Sequence, residues 1–120
     1  MKRDMDLCRE ILRQIEAHPE LNRPVKIEVE GRAPEDITYQ LHQLRQGGLI
    51  EAKDVSDLQG LAYKPLRLTW QGHEFLDAAR DDTIWRRGKE RVMKVAGGLT
   101  FDLLLAALKA EIRDRTGLDL

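Results

Sequence analysis

Two pairs of adjacent glycines, Gly47-Gly48 and Gly97-Gly98, interrupt the sequence, and each pair directly follows a stretch with the apolar spacing of a helix. Because glycine adopts the left-handed backbone conformation at little cost, such a pair predicts the end of a helix. Ahead of the first pair, Ile37, Leu41 and Leu44 form a narrow apolar stripe, just after a proline suited to a first helical turn. The glycine pairs therefore mark the ends of two predicted helices.

Three further segments repeat apolar residues at helical spacing. Their apolar positions are Leu7, Cys8, Ile11, Leu12 and Ile15 in the first, Gly72, Phe75, Leu76 and Ala79 in the second, and Phe101, Leu104, Leu105, Leu108 and Ile112 in the third. Asp4, Thr69 and Thr100 precede these segments as predicted helix caps. Pro19 predicts the end of the first segment, because proline disfavours helical geometry in the residue before it. Gly72 has no side chain, which predicts close approach of a neighbouring backbone.

Patterns typical of β-strands lie between the first, second and third predicted helices of the chain. Residues 25–30, VKIEVE, alternate apolar and charged residues with period two, which predicts a half-buried strand ending at Gly31. Leu49-Ile50 indicates the start of another strand, and residues 66–68 alternate again. The polar stretch between them has Gly60 near its tip, so a β-hairpin is expected. The predicted fold class is therefore α+β, mainly α.

Two motifs resemble the winged-helix superfamily. Residues 41–50, LHQLRQGGLI, resemble the recognition-helix ending hxxLxxxGLI of bacterial winged-helix regulators, and residues 68–76, LTWQGHEFL, resemble their LTxxGxxFL strand-to-helix junction. More narrowly, residues 1–7, 47–50 and 68–73 are similar to a family of small uncharacterised bacterial and phage proteins of unknown function. The resemblance implies a winged-helix-like core (helix, strand, helix, hairpin wing) over residues 1–82. It is followed by a C-terminal helical extension over residues 83–120.

The winged-helix resemblance implies double-stranded DNA as a partner and the role of a transcriptional regulator. On the second helix we expect Gln40, Gln43 and Arg45 to contact bases. Residues 83–98 hold five cations and one anion, and a helix predicted from Ile84 onwards places four of the cations on one side. These predicted phosphate contacts are Arg86, Arg87, Arg91 and Lys94.

A second hypothesis fits the sequence equally well, a non-catalytic protein-interaction module that keeps the fold without binding DNA. The net charge is −1, whereas nucleic-acid binders often carry a basic excess. Only residues 31–33 separate the predicted strand from the second helix, so the helix that normally supports a recognition helix is missing. Trp70 is the tryptophan expected to be an exposed binding residue, and Trp85 the one expected to be packed.

Catalytic, metal and cofactor sites are not predicted, so we do not expect an enzyme. The inventory of thiols and imidazoles is Cys8, His18, His42 and His73, without the spacing of a metal pair, and Cys8 lies on an apolar stripe where a buried role is expected. A charged start and the lack of a long apolar run predict a protein without a signal peptide or membrane contact. With a single cysteine, a cytoplasmic location is expected.

The last helix has apolar residues on two sides, which predicts a homodimer. Besides its main stripe, Leu103, Ala106, Ala107 and Ala110 project to the other side. A two-fold pairing of these helices would bury that surface. The alternative is that this second side packs within the same chain, on the first helix or on the helix over residues 84–96.

Overall fold

The computed structural model describes residues 1–118 and contains five helices and one two-stranded antiparallel sheet, an α+β and mainly helical fold. The elements are α1 (Met5–Ala17), α2 (Pro34–Gln46), β1 (Ile50–Asp54), β2 (Tyr63–Leu68), α3 (Trp70–Ala78), α4 (Asp82–Val95) and α5 (Phe101–Thr116). The chain divides into two compact units, Met1–His73 and a second that begins at Glu74. The division falls inside α3, whereas the sequence predicts it after residue 82.

The first unit is built around α1, which packs against α2 and β2. The predicted cap is confirmed, since the Asp4 carboxylate accepts the N–H of Leu7 at 3.1 Å. Leu7, Ile11 and Leu12 are fully enclosed, so the predicted apolar stripe is the core face of α1. The helix ends at Ala17, two residues before the proline.

The stop of α2 follows the predicted glycine chemistry. Gly48 adopts a left-handed φ of 76°, and the N–H of Leu49 donates to the Leu44 carbonyl at 3.0 Å. A hydrogen bond from a residue just past the helix back to a carbonyl of the last turn is typical of a helix that ends on a left-handed glycine. This ending turns the chain directly into β1. The glycine pair thus sets where the hairpin begins relative to α2.

The predicted strand over residues 25–30 is wrong, because this segment is extended but forms no ladder. Its side chains alternate between the interior and solvent as expected. The N–H of Val25 donates to the Pro65 carbonyl at 2.8 Å, but Pro65 has no N–H to return. The backbone of Glu28 bonds instead to the side-chain amide of Gln14 on α1, at 2.8 Å and 3.2 Å. That side chain takes the place of a neighbouring strand.

The hairpin connects to α3 through a close backbone approach. The Thr69 hydroxyl caps α3 by accepting the N–H of Gly72 at 3.1 Å, as predicted. A Cβ added at Gly72 would lie 2.0 Å from the Leu49 carbonyl oxygen, so the predicted close approach is confirmed. The Leu49 carbonyl also accepts the N–H of Thr69 at 3.0 Å, which anchors the start of α3 to the end of α2.

In the second unit, α4 packs along α5. Asp81 caps α4 and the predicted cap Thr100 begins α5. The rings of Trp85 and Phe101 each meet the ring of Phe75 edge to face, an arrangement that aromatic pairs favour. Trp85 is therefore packed in the core, as expected from the sequence.

Candidate nucleic-acid interface

The predicted base contact of Gln40 is wrong, because this side chain is only 3% exposed and its amide is used inside the protein. Its oxygen accepts the N–H of Asp4 at 3.0 Å and the thiol of Cys8 at 3.5 Å. Its nitrogen donates to the carbonyl of Lys2 at 3.1 Å. Leaving such buried groups unpaired would cost about 1–3 kcal/mol. Gln40 therefore holds the N-terminal segment against α1 and α2 and does not face a ligand.

Cys8 is fully buried in α1, as predicted. Burial, together with the nearby carboxylate of Asp4, raises the pKa of its thiol to about 12. Because only the thiolate is a good nucleophile, Cys8 has no reactive form at neutral pH. Its role is structural, as packing and as a donor to Gln40.

Arg45 lies at the end of α2 and is drawn onto the inner face of the hairpin. Its Nε donates to the Ala52 carbonyl at 3.0 Å, and its guanidinium lies 5.7 Å from the centre of the Tyr63 ring. The Tyr63 hydroxyl in turn lies 2.6 Å from Nδ1 of His42. These contacts join the C-terminal half of α2 to the hairpin. The other predicted base contact, Gln43, is only partly exposed.

The carboxylate of Asp54 lies near Arg45 and His42. The pKa of Asp54 is lowered by hydrogen bonds from the Ser56 side chain and backbone N–H, and further by Arg45 and His42 nearby. Asp54 therefore stays ionised at neutral pH and offsets part of the Arg45 charge. The inner face of the hairpin is thus rich in aromatic and hydrogen-bonding groups without a strong net charge.

The outer face of the hairpin has the opposite character. Lys53 and Lys64 are direct cross-strand partners, and Glu51 pairs with Arg67 beside them. Partners in an antiparallel ladder project to the same face, and like charges placed opposite each other are destabilising. Both lysines are exposed, and within residues 1–118 no carboxylate forms an ion pair with either. This lysine pair is a surface where an anion would relieve repulsion.

The predicted phosphate contacts on α4 differ in how closely carboxylates approach them. Arg91 is bound by Glu111 at 2.7 Å and Asp114 at 2.5 Å, and the Asp114 contact raises the pKa of Arg91. Because both carboxylates belong to α5, Arg91 braces the two helices and its charge is neutralised. The Nε of Arg86 lies 4.0 Å from a carboxylate oxygen of Glu90 on its own helix. The remaining two, Arg87 and Lys94, are exposed and have no carboxylate partner within residues 1–118.

Residues 2–99 match the family described as Hypothetical protein (DUF2513). The chain belongs to the DUF2513 family. The sequence is also 36% identical over 105 residues to an "Uncharacterized protein" of Haemophilus influenzae, a match that covers 87% of this chain and 89% of the relative. No solved structure matches the chain. The narrower resemblance to a small uncharacterised bacterial family is thereby confirmed.

The DUF2513 match spans α1 to α4 and the hairpin, and it ends before α5. On α5 the predicted dimer residues do not share one surface. Leu103 and Ala106 are exposed and Ala110 is partly exposed, but Ala107 is buried. Ala107 lies three positions after Leu104 and four before Glu111, both of which are buried, so it shares the side of α5 that packs inside the unit. The exposed surface left for the predicted pairing of two copies is therefore narrower than the sequence predicts.

The hairpin of this DUF2513 member carries exposed residues that sequence reasoning did not single out. Leu58 at its tip is fully exposed and Leu61 is half exposed. The lysine pair could be found from the sequence only if the strand register were known.

Trp70 is 78% exposed, as expected. Within residues 1–118, no three metal-ligating side chains come together and no helix has the length and apolarity to cross a bilayer.

Proposed function

We propose that this chain is a winged-helix-type DNA-binding protein, a transcriptional regulator whose contacts are made mainly with phosphate. The order α1, extended segment, α2 and hairpin supports the winged-helix assignment. The observation that carries the proposal is the lysine pair of Lys53 and Lys64, two exposed cations held opposite each other with no carboxylate partner among residues 1–118. A phosphate group placed between them replaces repulsion with two charge-assisted contacts.

Base reading plays a small part in this proposal. Gln40 is buried and Arg45 is held by Ala52 and Tyr63. Of the three, only Gln43 has no side-chain partner in the part of the chain that the structure describes. The first turn of α2 carries Glu35 and an aspartate, which repel a phosphate backbone there. We therefore expect DNA binding with a weak preference for sequence and a strong dependence on salt.

The test is an anisotropy titration of a short duplex with the full chain over a series of salt concentrations. Replacing Lys53 and Lys64 together by Ala should flatten the plot of log affinity against log salt by about 0.9 per lost phosphate contact. The matched control replaces Lys2 and Lys109, two exposed lysines outside the hairpin, and should leave the slope unchanged. An unchanged slope in the hairpin variant, or absence of binding at low salt, would refute the proposal.

The α4 cations provide a second arm of the same test. Arg87→Glu with Lys94→Glu should weaken binding to every duplex alike, since phosphate contacts do not read sequence. Arg86→Glu would add a smaller loss because Glu90 already faces this side chain. Equal affinity for variant and parent would remove α4 from the interface and leave the lysine pair as the proposed contact.

The second candidate is a non-catalytic protein-interaction module with no DNA role. Exposure of Trp70 at the start of α3 favours it, since tryptophan is enriched among the residues that contribute most of the binding energy at protein interfaces. No duplex binding at low salt, with a protein partner lost on Trp70→Ala, would select this candidate.

A further inference from the structure

The extended segment over residues 25–30 begins beside β2 and then diverges from it. The N–H of Val25 donates to the Pro65 carbonyl at 2.8 Å. Three residues further on, Glu28 is bonded on its other side, where the Gln14 amide accepts its N–H and donates to its carbonyl. Gln14 therefore holds the segment towards α1. Within residues 1–118, no backbone hydrogen bond beyond the one at Val25 joins the segment to β2.

A cleft of about 360 Å³ lies between the diverging segment and β2. The segment lines it with Ile27 and Val29, β2 with Tyr63 and Pro65, and α2 with Ile37 and Thr38. The volume is at the lower end of the range of ligand pockets. Two of the three walls are extended backbone, so the cleft lies where one more strand would complete the sheet.

Backbone groups of both extended walls face this cleft. In an extended chain the N–H and C=O of one residue point to the same side, and the side alternates along the chain. The Ala62 carbonyl accepts the N–H of Val55 on β1's side, so the N–H and C=O of Tyr63 face away from β1. Those of Glu28 face α1, so those of Ile27 face β2. Among residues 1–118, the Ile27 and Tyr63 groups have no hydrogen-bond partner on this side.

The charged side chains that line the cleft are already paired. Arg32 binds Asp4 at 2.5 Å, and Glu28 binds Lys26 at 3.2 Å. A phosphate therefore finds no unpaired cation in this lining. The cleft offers backbone hydrogen bonds and apolar contact, which are the contacts that an extended peptide makes when it adds to a sheet edge. A sheet edge of a folded second copy would bring its own neighbouring strand, for which a cleft walled on both sides leaves no space.

We propose that this cleft binds an extended segment of a partner protein, which lies between residues 25–29 and β2 as an added strand. One residue of the bound segment exchanges hydrogen bonds with Tyr63, and the next residue bonds to Ile27 on the other side. Because side chains alternate along a strand, every second residue of the segment points towards α2 and is apolar. This goes beyond DNA binding and does not depend on it, since Lys53 and Lys64 project from the other face of the hairpin.

The first test needs only the parent chain. Peptides selected from a random library displayed on phage should carry apolar residues at alternating positions. In the free protein, the amide protons of Ile27 and Tyr63 should exchange with solvent faster than that of Val25, which is bonded to Pro65. A synthetic copy of the selected peptide, added at about ten times its Kd, should slow both by about tenfold, because only the free fraction exchanges. No enrichment, or unchanged exchange at either residue, would overturn the proposal.

A modified peptide distinguishes strand pairing from apolar contact alone. N-methylation at one central position at a time removes a backbone N–H and leaves every side chain in place. Methylation at a position that donates to the cleft should weaken binding at least about tenfold, as expected for a lost hydrogen bond that leaves a buried acceptor unpaired. Equal affinity of all the methylated peptides would contradict an added strand.

Variants of the protein locate the binding. Thr38→Phe fills the cleft from α2 and should weaken peptide binding at least about tenfold, because it takes the space of one apolar side chain. Gln46→Phe, at an exposed position outside the cleft, is the matched control and should bind as the parent does. Replacing Lys53 and Lys64 by Ala should leave peptide binding unchanged, so this proposal and DNA binding fail separately. Displacement of the peptide by a short duplex, or a parent dimer that the peptide dissociates, would assign the cleft to DNA or to a second copy and overturn the proposal.

Discussion

The backbone contact under Gly72 allows a quantitative test of how the first unit is held together. In a helix, Gly→Ala normally stabilises by about 1 kcal/mol. At Gly72 the added Cβ would lie 2.0 Å from the Leu49 carbonyl oxygen and 3.1 Å from its carbon, both backbone atoms that cannot rotate away. The start of α3 would have to move, which also strains the bond from the Thr69 N–H to that carbonyl. We expect Gly72→Ala to lower the free energy of unfolding by about 3 kcal/mol, most of it from overpacking.

Denaturant unfolding of three Gly→Ala variants provides the measurement. At Gly88 the added Cβ meets the end of the Leu108 side chain at 2.7 Å, which can rotate, so a smaller loss is expected. At Gly97 nothing lies within 4 Å, and Ala there should be close to neutral. The order of destabilisation should therefore be 72, then 88, then 97. Stability of Gly72→Ala within about 0.5 kcal/mol of the parent, the range of ordinary surface substitutions, would refute the close packing of α3 on Leu49.

Three further predictions concern other parts of the chain. Because the pKa of the Cys8 thiol is about 12 in the folded protein, Cys8 should resist alkylation at pH 8 in the native protein and react once unfolded. Rapid alkylation of the native protein would contradict this. The free energy of unfolding should also fall as the pH rises from about 9 towards 12. Glu111→Ala should lower Tm more than Asp114→Ala, since Glu111 is the buried partner of the α4 arginine; equal shifts would contradict it. If α5 pairs two copies, light scattering at tens of micromolar should show a dimer that Leu103→Glu with Ala110→Glu converts to monomer; a monomeric parent would remove the proposal.

Helix ends were predictable because local chemistry decides them. Asp4, Thr69 and Thr100 each cap the expected helix, and Gly48 stops α2, through contacts within a few residues of chain. The misassigned strand over residues 25–30 depended on a distant residue. Its alternation was right, but a ladder also needs a donor on the neighbouring strand, and proline stands there.

Site residues were harder to predict, and Gln40 explains why. It lies three positions after Ile37 and four before Leu44, on the stripe that the period of 3.6 assigns to the core. Its polar side chain suggested exposure, yet three internal partners satisfy it. Periodicity was the better guide than polarity at this position. The facing of Lys53 and Lys64 could not be derived in this way, because the register shifts at a bulge beside Ala52 that no local pattern marks.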